Sequence, residues 1–391
     1  MSLEQDIIVV GVGPAGLAAA IEAHRRGHSV AVVAPARAGR DERTAALLAG
    51  SIDLLDGIGI WPLVADKAAP LRTLRIVDAT RRLFRAPEVT FHASEIGLTG
   101  FGFNVANADL VEALETRVSQ LGIGRYATTV EGVFPGVNDI ALALASGAQA
   151  RARLVVAADG RRSTIRDRLG IGTREWRYDQ SALVANLTHS LPHNDTSTEF
   201  HTEAGPFTLV PLPGRRSSLV WVDRPDEVTR RLGLPEAALA QEIEEQSSSL
   251  LGAIGIEGPR QAFPLSGMTA NAFAASRTVL VGEAAHVFPP IGAQGLNLGY
   301  RDVAALGDIL PGPGRDPGAP ARLAAYERAR RADVLTRTAA VDALNRTLLT
   351  GFLPVQALRG FGLFLLDRIP SLRQAVMRQG IAPGRPAARL S

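Results

Sequence analysis

Residues 6–33 read as a strand, a glycine turn, a helix and a second strand, and this unit restricts the fold more than any other stretch of the chain. Asp6 leads into the apolar run Ile7–Val10, which suits a parallel strand buried on both faces. GVGPAG follows from Gly11 to Gly16, then an Ala-rich helix from Leu17 to Arg26 ending at Gly27, and Val30 to Val33 resumes the apolar run. The glycines have steric reasons. Gly11 permits a tight turn, Gly13 lets backbone N–H groups approach a pyrophosphate beside Pro14 and Ala15, and Gly16 lets the helix pack on the strand. Alone, a GxGxxG is weak evidence; between a strand and a helix it has the context the motif requires. The end of the second strand usually carries an acid for a ribose, but here reads Ala34-Pro35-Ala36, and Arg37 keeps a phosphorylated ribose open. GIGIWP at Gly57, GIGRYA at Gly122 and GIGTRE at Gly170 lack the third glycine, so one dinucleotide site is expected.

Composition narrows the chemistry. The 391 residues contain no cysteine, which removes disulfides, thiolate metal sites and dithiol relays, so any redox work falls to a bound cofactor. Twelve arginines face four acids after Ala321, a net of +8, so the remainder carries −5 of the overall +3. The high isoelectric point is therefore a property of the tail, and with no basic stripe interleaved with aromatics, nucleic acid is not an expected partner. His189 and His193 flank Pro192 without a carboxylate pair, so no metal is expected, and Ser163 and Ser218 lack a nucleophile elbow. MSLEQDIIVV has no basic leader, which points to a cytoplasmic location.

Three later segments add detail. Asp41-ERTAALLAGS-Ile52 leads into a helix through Leu55, with Arg43 at its start. Arg153-LVVAADGRRSTIR-Arg166 is a buried strand ending at Asp159-Gly160, with Asp159 also suited to capping the helix that follows. Thr278-VLVGEAAHVFPPIGAQGLNLGYRD-Asp302 is another buried strand that opens into a glycine-rich turn, its helix starting near Gly295.

Taken in this order with the tail motifs YERARRAD, Asp342-ALNR and Gly362-LFLLDRIPSLR, these segments resemble the flavoprotein monooxygenases with one Rossmann-type FAD domain, the para-hydroxybenzoate hydroxylase class. Within that class they are most similar to the ubiquinone-biosynthesis hydroxylases of polyprenylated phenols. The resemblance implies an α/β fold: a Rossmann-type FAD-binding domain, an inserted mixed β-sheet substrate domain and a C-terminal helical segment. It implies FAD contacts from Gly11, Gly13, Pro14, Ala15 and Gly16, then Arg43, Thr44, Asn107 and Val130, then Asp159 and Gly160. The last group is Gly282, Glu283, Pro290, Gly292, Ala293, Gln294, Gly295, Leu296 and Asn297. The backbone of Pro290 and Gly292 would wall the pocket in which oxygen reacts, with no side-chain base identified. Two departures stand out. Glu283 replaces the family's Asp, keeping the charge but adding a methylene, and Ala293-Gln294-Gly295 replaces Gly-Gln-Gly.

The implied division assigns residues 1–72, 95–175 and 268–310 to the FAD-binding domain, 73–94 and 176–267 to the substrate domain, and 321–385 to the C-terminal helical region. Phe207-TLVPL and Ser217-SLVWV alternate apolar faces around Pro213-GRR, a hairpin expected to share a sheet with strands near Thr73–Phe91 and Ser181–Thr188. Trp221 and Tyr178 suit either core or pocket wall, and His286 suits orienting its loop. The implied activity is NAD(P)H-consuming hydroxylation, one oxygen atom of O2 entering a phenolic ring, with NADH or NADPH as co-substrate. A soluble aromatic or polyketide substrate, and a non-catalytic FAD-holding assembly subunit within a biosynthetic complex, stay open. The WxWxIP motif of flavin halogenases is absent, since Val222-Asp223 follows Trp221. Leu348–Leu366, broken only by Arg359, with the basic tail, suggests peripheral docking on the inner face of a membrane.

Overall fold

A computed structural model describes residues 3–36, 39–80, 87–289, 294–349, 373–374 and 377. The apolar run Ile7–Val10 forms the middle of an eight-stranded sheet. Leu3–Val10 pairs in parallel with Val30–Ala34 on one side and Gln149–Ala157 on the other, Ile8 lying opposite Ala31 and Val155. Thr278–Leu280 and Gly124–Ala127 extend the parallel array, and the hairpin Val130–Pro135/Ile140–Leu144 adds antiparallel strands to Gln149–Ala157. Ile7, Ile8 and Val9 are wholly buried, as a central strand covered on both faces demands. The helix Pro14–Arg25 packs on these strands and against the helices Asn107–Gln120 and Gln294–Ile309.

The second sheet has eight strands and is mixed. Its long central strands Thr173–His189 and Ile254–Ala270 are antiparallel, and the hairpin Pro206–Leu212/Arg216–Asp223, Thr196–His201, Thr73–Asp78 and Val89–His92 continue it outward. Strand alternation divides its faces. Leu183, Ala185, Leu187, Leu219 and Trp221 turn to the helices Pro225–Leu232 and Glu236–Gln246, where they meet Val228, Leu239 and Ile243. Trp221 is thus core, packed edge-on to Phe207 with Arg231 over its ring. Val184, Asn186, Ser218 and Val220 occupy the opposite face.

Three local features differ from the sequence reading. Thr44–Leu48 is a strand, joined to Gly102–Ala106 and Ala69–Leu71 in a three-stranded sheet, and the helix begins only at Ala49. Gly102 explains the pairing, because a Cβ there would lie 2.0 Å from the Leu47 carbonyl oxygen. The hairpin loop is three residues rather than four, Arg216 already pairing with Leu212. The segment PGPGRDPGAP from Pro311, whose prolines and glycines read as a linker, is tied down: Asp316 accepts from Arg277, and a Cβ on Gly318 would collide with the Arg153 carbonyl at 2.1 Å.

Candidate active site

The glycine turn follows the first strand directly. Gly11 has φ +123°, and a Cβ would sit 2.1 Å from the Ala158 carbonyl oxygen, so only glycine lets the two parallel strands close beneath the turn. At Gly13 a Cβ would meet nothing within 4 Å. Gly13 is the cap of the helix Pro14–Arg25 and offers no side-chain acceptor to its first N–H groups. An open backbone over an uncapped helix N-terminus is a ready site for an anion.

Asp159 and Gly160 end the adjacent strand. Asp159 accepts from Ser163 Oγ at 2.6 Å and the Ile165 N–H at 3.2 Å, while Ser163, rather than Asp159, caps the short helix Thr164–Arg168. Burial pushes the Asp159 carboxyl above its ordinary value despite those hydrogen bonds. Gly160 has φ +82° with open space on its Cβ side.

Arg43, Asp41 and Asn107 form a cluster that the sequence reading captured only in part. Asp41 takes two bonds from the Arg43 guanidinium, 2.8 Å each, one from the Arg43 N–H at 3.1 Å and one from Asn107 Nδ2 at 3.0 Å. Burial tends to raise the Asp41 carboxyl, but the bonds from Arg43 and Asn107 outweigh it and hold the group below its ordinary value. Arg43 also lies over the Phe263 ring at 5.2 Å and within the field of exposed Glu283. Asn107 Oδ1 is buried without a hydrogen-bond partner among the described residues. Asp41 was legible as an acid two residues before Arg43; its bridging role was not.

The third segment meets the glycine turn from the side. Gly282 has φ +62°, and a Cβ there would touch Ala15 at 3.4 Å; Gly299, in the helix Gln294–Ile309, approaches Ala15 equally closely. Asn297 turns its amide to the chain segment behind it, accepting from the Leu48 N–H and Ser51 Oγ and donating to the Ala46 carbonyl. Gln294 accepts from Arg337 at 3.3 Å, Leu296 packs at the core margin and Gly295 is exposed. Thr44 donates to Ser218 Oγ at 2.9 Å and Asn186 to the Glu42 carbonyl, so the second sheet's free face looks onto this cluster. Val130 is buried at the start of its strand. Arg37, Pro290, Gly292 and Ala293 lie outside the described residues.

These features suit FAD: the open backbone at Gly13, the uncapped helix end beneath it and the unpaired acceptor at Asn107 offer a pyrophosphate and a polyol the groups they need. Among the described residues no group of three or more His, Asp or Glu could hold a metal.

Comparisons with known proteins show the family and the fold. A family model described as an FAD binding domain matches residues 4–340. The ubiquinone hydroxylase UbiL of Rhodospirillum rubrum is 36% identical over 388 residues, covering 96% of this chain and 89% of its own. The 3-demethoxyubiquinol 3-hydroxylase of Escherichia coli is 30% identical over 391 residues, covering 96% and 98%. Among solved structures, the p-nitrophenol 4-monooxygenase PnpA of Pseudomonas putida DLL-E4 shares the fold with a TM-score of 0.78 at 18% identity, covering 98% of this chain and 100% of that one.

Proposed function

Because the chain belongs to the FAD-binding-domain family and is an FAD-dependent aromatic monooxygenase, we propose that it hydroxylates the ring of a polyprenylated phenol, a quinone precursor, at the expense of NAD(P)H. Bound FAD supplies the passage of electrons from NAD(P)H to O2 and the delivery of one oxygen atom. The protein has to bind, orient and keep water out. The N–H groups of Gly13, Pro14's neighbours and the helix start would hold the pyrophosphate, with Gly160 giving close backbone approach. Asn107 would accept from the polyol through its unpaired Oδ1, and Glu283 would do the same from the other side. Arg43, fixed by Asp41, would bring its cation to the cofactor rather than sweep through solvent.

The observation that carries the reading is the close approach of Gly282 and Gly299 to Ala15 in the glycine turn, together with Arg43 lying over Phe263 on the second sheet's free face, which Val184 and Val220 share. An apolar wall of this kind suits a neutral ring and would hold it within the ~3–3.5 Å that oxygen transfer needs. It also excludes water from the reacting atoms. The test is NADH and NADPH oxidation against a panel of phenols with and without a prenyl tail, each product read by mass. Substrate-dependent oxidation with a gain of one oxygen, strongest with prenylated phenols, supports the proposal; equal rates for untailed aromatic acids would move the substrate to a soluble compound.

A prenylated substrate resides in a membrane, so the proposal includes docking of the basic C-terminal region on an anionic surface. Leu348–Leu366 lies beyond the residues whose side chains are described. Among the described residues no helix is long and apolar enough to cross a membrane. Arg330, in the basic tail, is not available for docking, since it is 3% exposed and bonded within the protein.

A further inference from the structure

Asp302 is fully buried and lies 20 residues beyond the Gly282 turn, yet three donors converge on its two oxygens. Oδ2 accepts from the Gly282 N–H at 2.8 Å and His286 Nε2 at 2.7 Å, and Oδ1 accepts from Arg330 Nε at 2.6 Å. Arg330 comes from the C-terminal helix Pro320–Leu349 and also donates to Asp333 at 2.8 Å. Asp333 binds Arg337, and Arg337 donates to Gln294. The same helix reaches Leu280, whose carbonyl accepts from Tyr326 at 2.7 Å.

We infer that Asp302, anchored by Arg330, is a positioning residue for the cofactor site, setting the Gly282 turn and the His286 ring while the Asp333–Arg337 arm holds Gln294 at the start of the helix Gln294–Ile309. Only an ionised carboxylate accepts from all three donors; an amide would turn an NH2 toward one of them. Arg330 pairs with that carboxylate inside the protein, where an unpaired ion would be costly. Among the described residues the one hydrogen bond of the His286 ring is that from Nε2 to Asp302, Nδ1 being buried without a partner. A salt bridge serving only to clamp a helix on a sheet would have no use for the Gly282 N–H, which belongs to the turn against Ala15.

The inference rests on the proposed hydroxylation for its coupling readout alone; FAD affinity and the visible circular dichroism of bound flavin test it independently. Asp302→Asn and Arg330→Gln are prepared as holoenzymes beside Arg331→Gln, which alters the exposed face of the same helix. For Asp302→Asn the FAD dissociation constant should rise about tenfold or more, the visible dichroism should change, and a larger share of NAD(P)H electrons should end in hydrogen peroxide. Arg330→Gln should move all three in the same direction, and Arg331→Gln none. Unchanged FAD affinity and dichroism in Asp302→Asn, with only the melting temperature of the protein lowered, would reduce the cluster to a clamp and overturn the inference. Should Asp302→Asn not fold, His286→Phe removes one bond and leaves the ion pair intact; wild-type dichroism in that variant would overturn it as well. If the wild type binds FAD but hydroxylates no phenol, the functional reading fails while the flavin measurements still decide the role of Asp302.

Discussion

At Gly13 the difference between a binding site and a closed turn is one side chain. Gly13→Asp would put a carboxylate where backbone has to meet a pyrophosphate, and flavin occupancy after purification should fall to background; retained occupancy would remove Gly13 from the site. Glu283 is one of the two places where the chain departs from the pattern that its resemblance implies, and its exposed carboxylate stands near Arg43. Glu283→Ala should raise the FAD dissociation constant by about tenfold or more, the size of a hydrogen bond to a charged group, while Glu283→Asp should retain most affinity. Isothermal titration separates the two. Residues whose role is steric were legible from sequence: Gly11 and Gly16 sit where a Cβ would meet the Ala158 and Gly11 carbonyl oxygens at 2.1 and 2.7 Å. Asp302 and Arg330 were not, because they are 28 residues apart and meet only when two helices pack. The side chain of Asn297 shows the same limit, since nothing in its spacing foretells three bonds to residues 46–51.

Among the elements, the C-terminal helix does more than cover the sheet. Asp333 on it binds Arg301, Arg330 and Arg337. Burial raises its carboxyl pKa, but the bond from Arg301 and the charges of Arg330 and Arg301 lower it further, well below the ordinary value of 3.8. A carboxylate with a depressed folded pKa stabilises the fold fully above its unfolded value, and this is lost as pH falls through the folded one. The melting temperature should therefore drop as pH falls below about 4, and Asp333→Asn should melt lower at neutral pH with a flatter acid slope. Parallel slopes would show that Asp333 contributes nothing. Trp221→Ala should cost about 3–5 kcal/mol in urea unfolding, as for a large buried side chain, without weakening FAD binding in the folded fraction. The first βαβ unit was readable because its apolar runs and glycines agree on one structure. Thr44–Leu48 misled because Ala and Leu favour helix, whereas pairing with Gly102–Ala106 makes the segment a strand.

For the whole molecule, the largely parallel sheet carries the candidate cofactor site and the second sheet turns its free face toward it, the two joined by contacts such as Thr44 to Ser218 and Arg161 to Ser266. Membrane docking is tested with vesicles. Recovery in the pellet should rise with anionic lipid, fall as salt shortens screening from ~10 Å to ~3 Å, and drop for Arg328→Gln with Arg359→Gln. Equal recovery with neutral vesicles would leave the tail as a solvated surface and the hydroxylase intact. The central claim rests on oxygen transfer, and its most direct measurement is isotopic: the holoenzyme, NAD(P)H and a prenylated phenol under 18O2, with product mass and reductant consumption followed together. One 18O atom per product, with one NAD(P)H consumed for each, is the expected result. Consumption of NAD(P)H with every electron recovered as hydrogen peroxide and the phenol unchanged, across the whole panel, would contradict it.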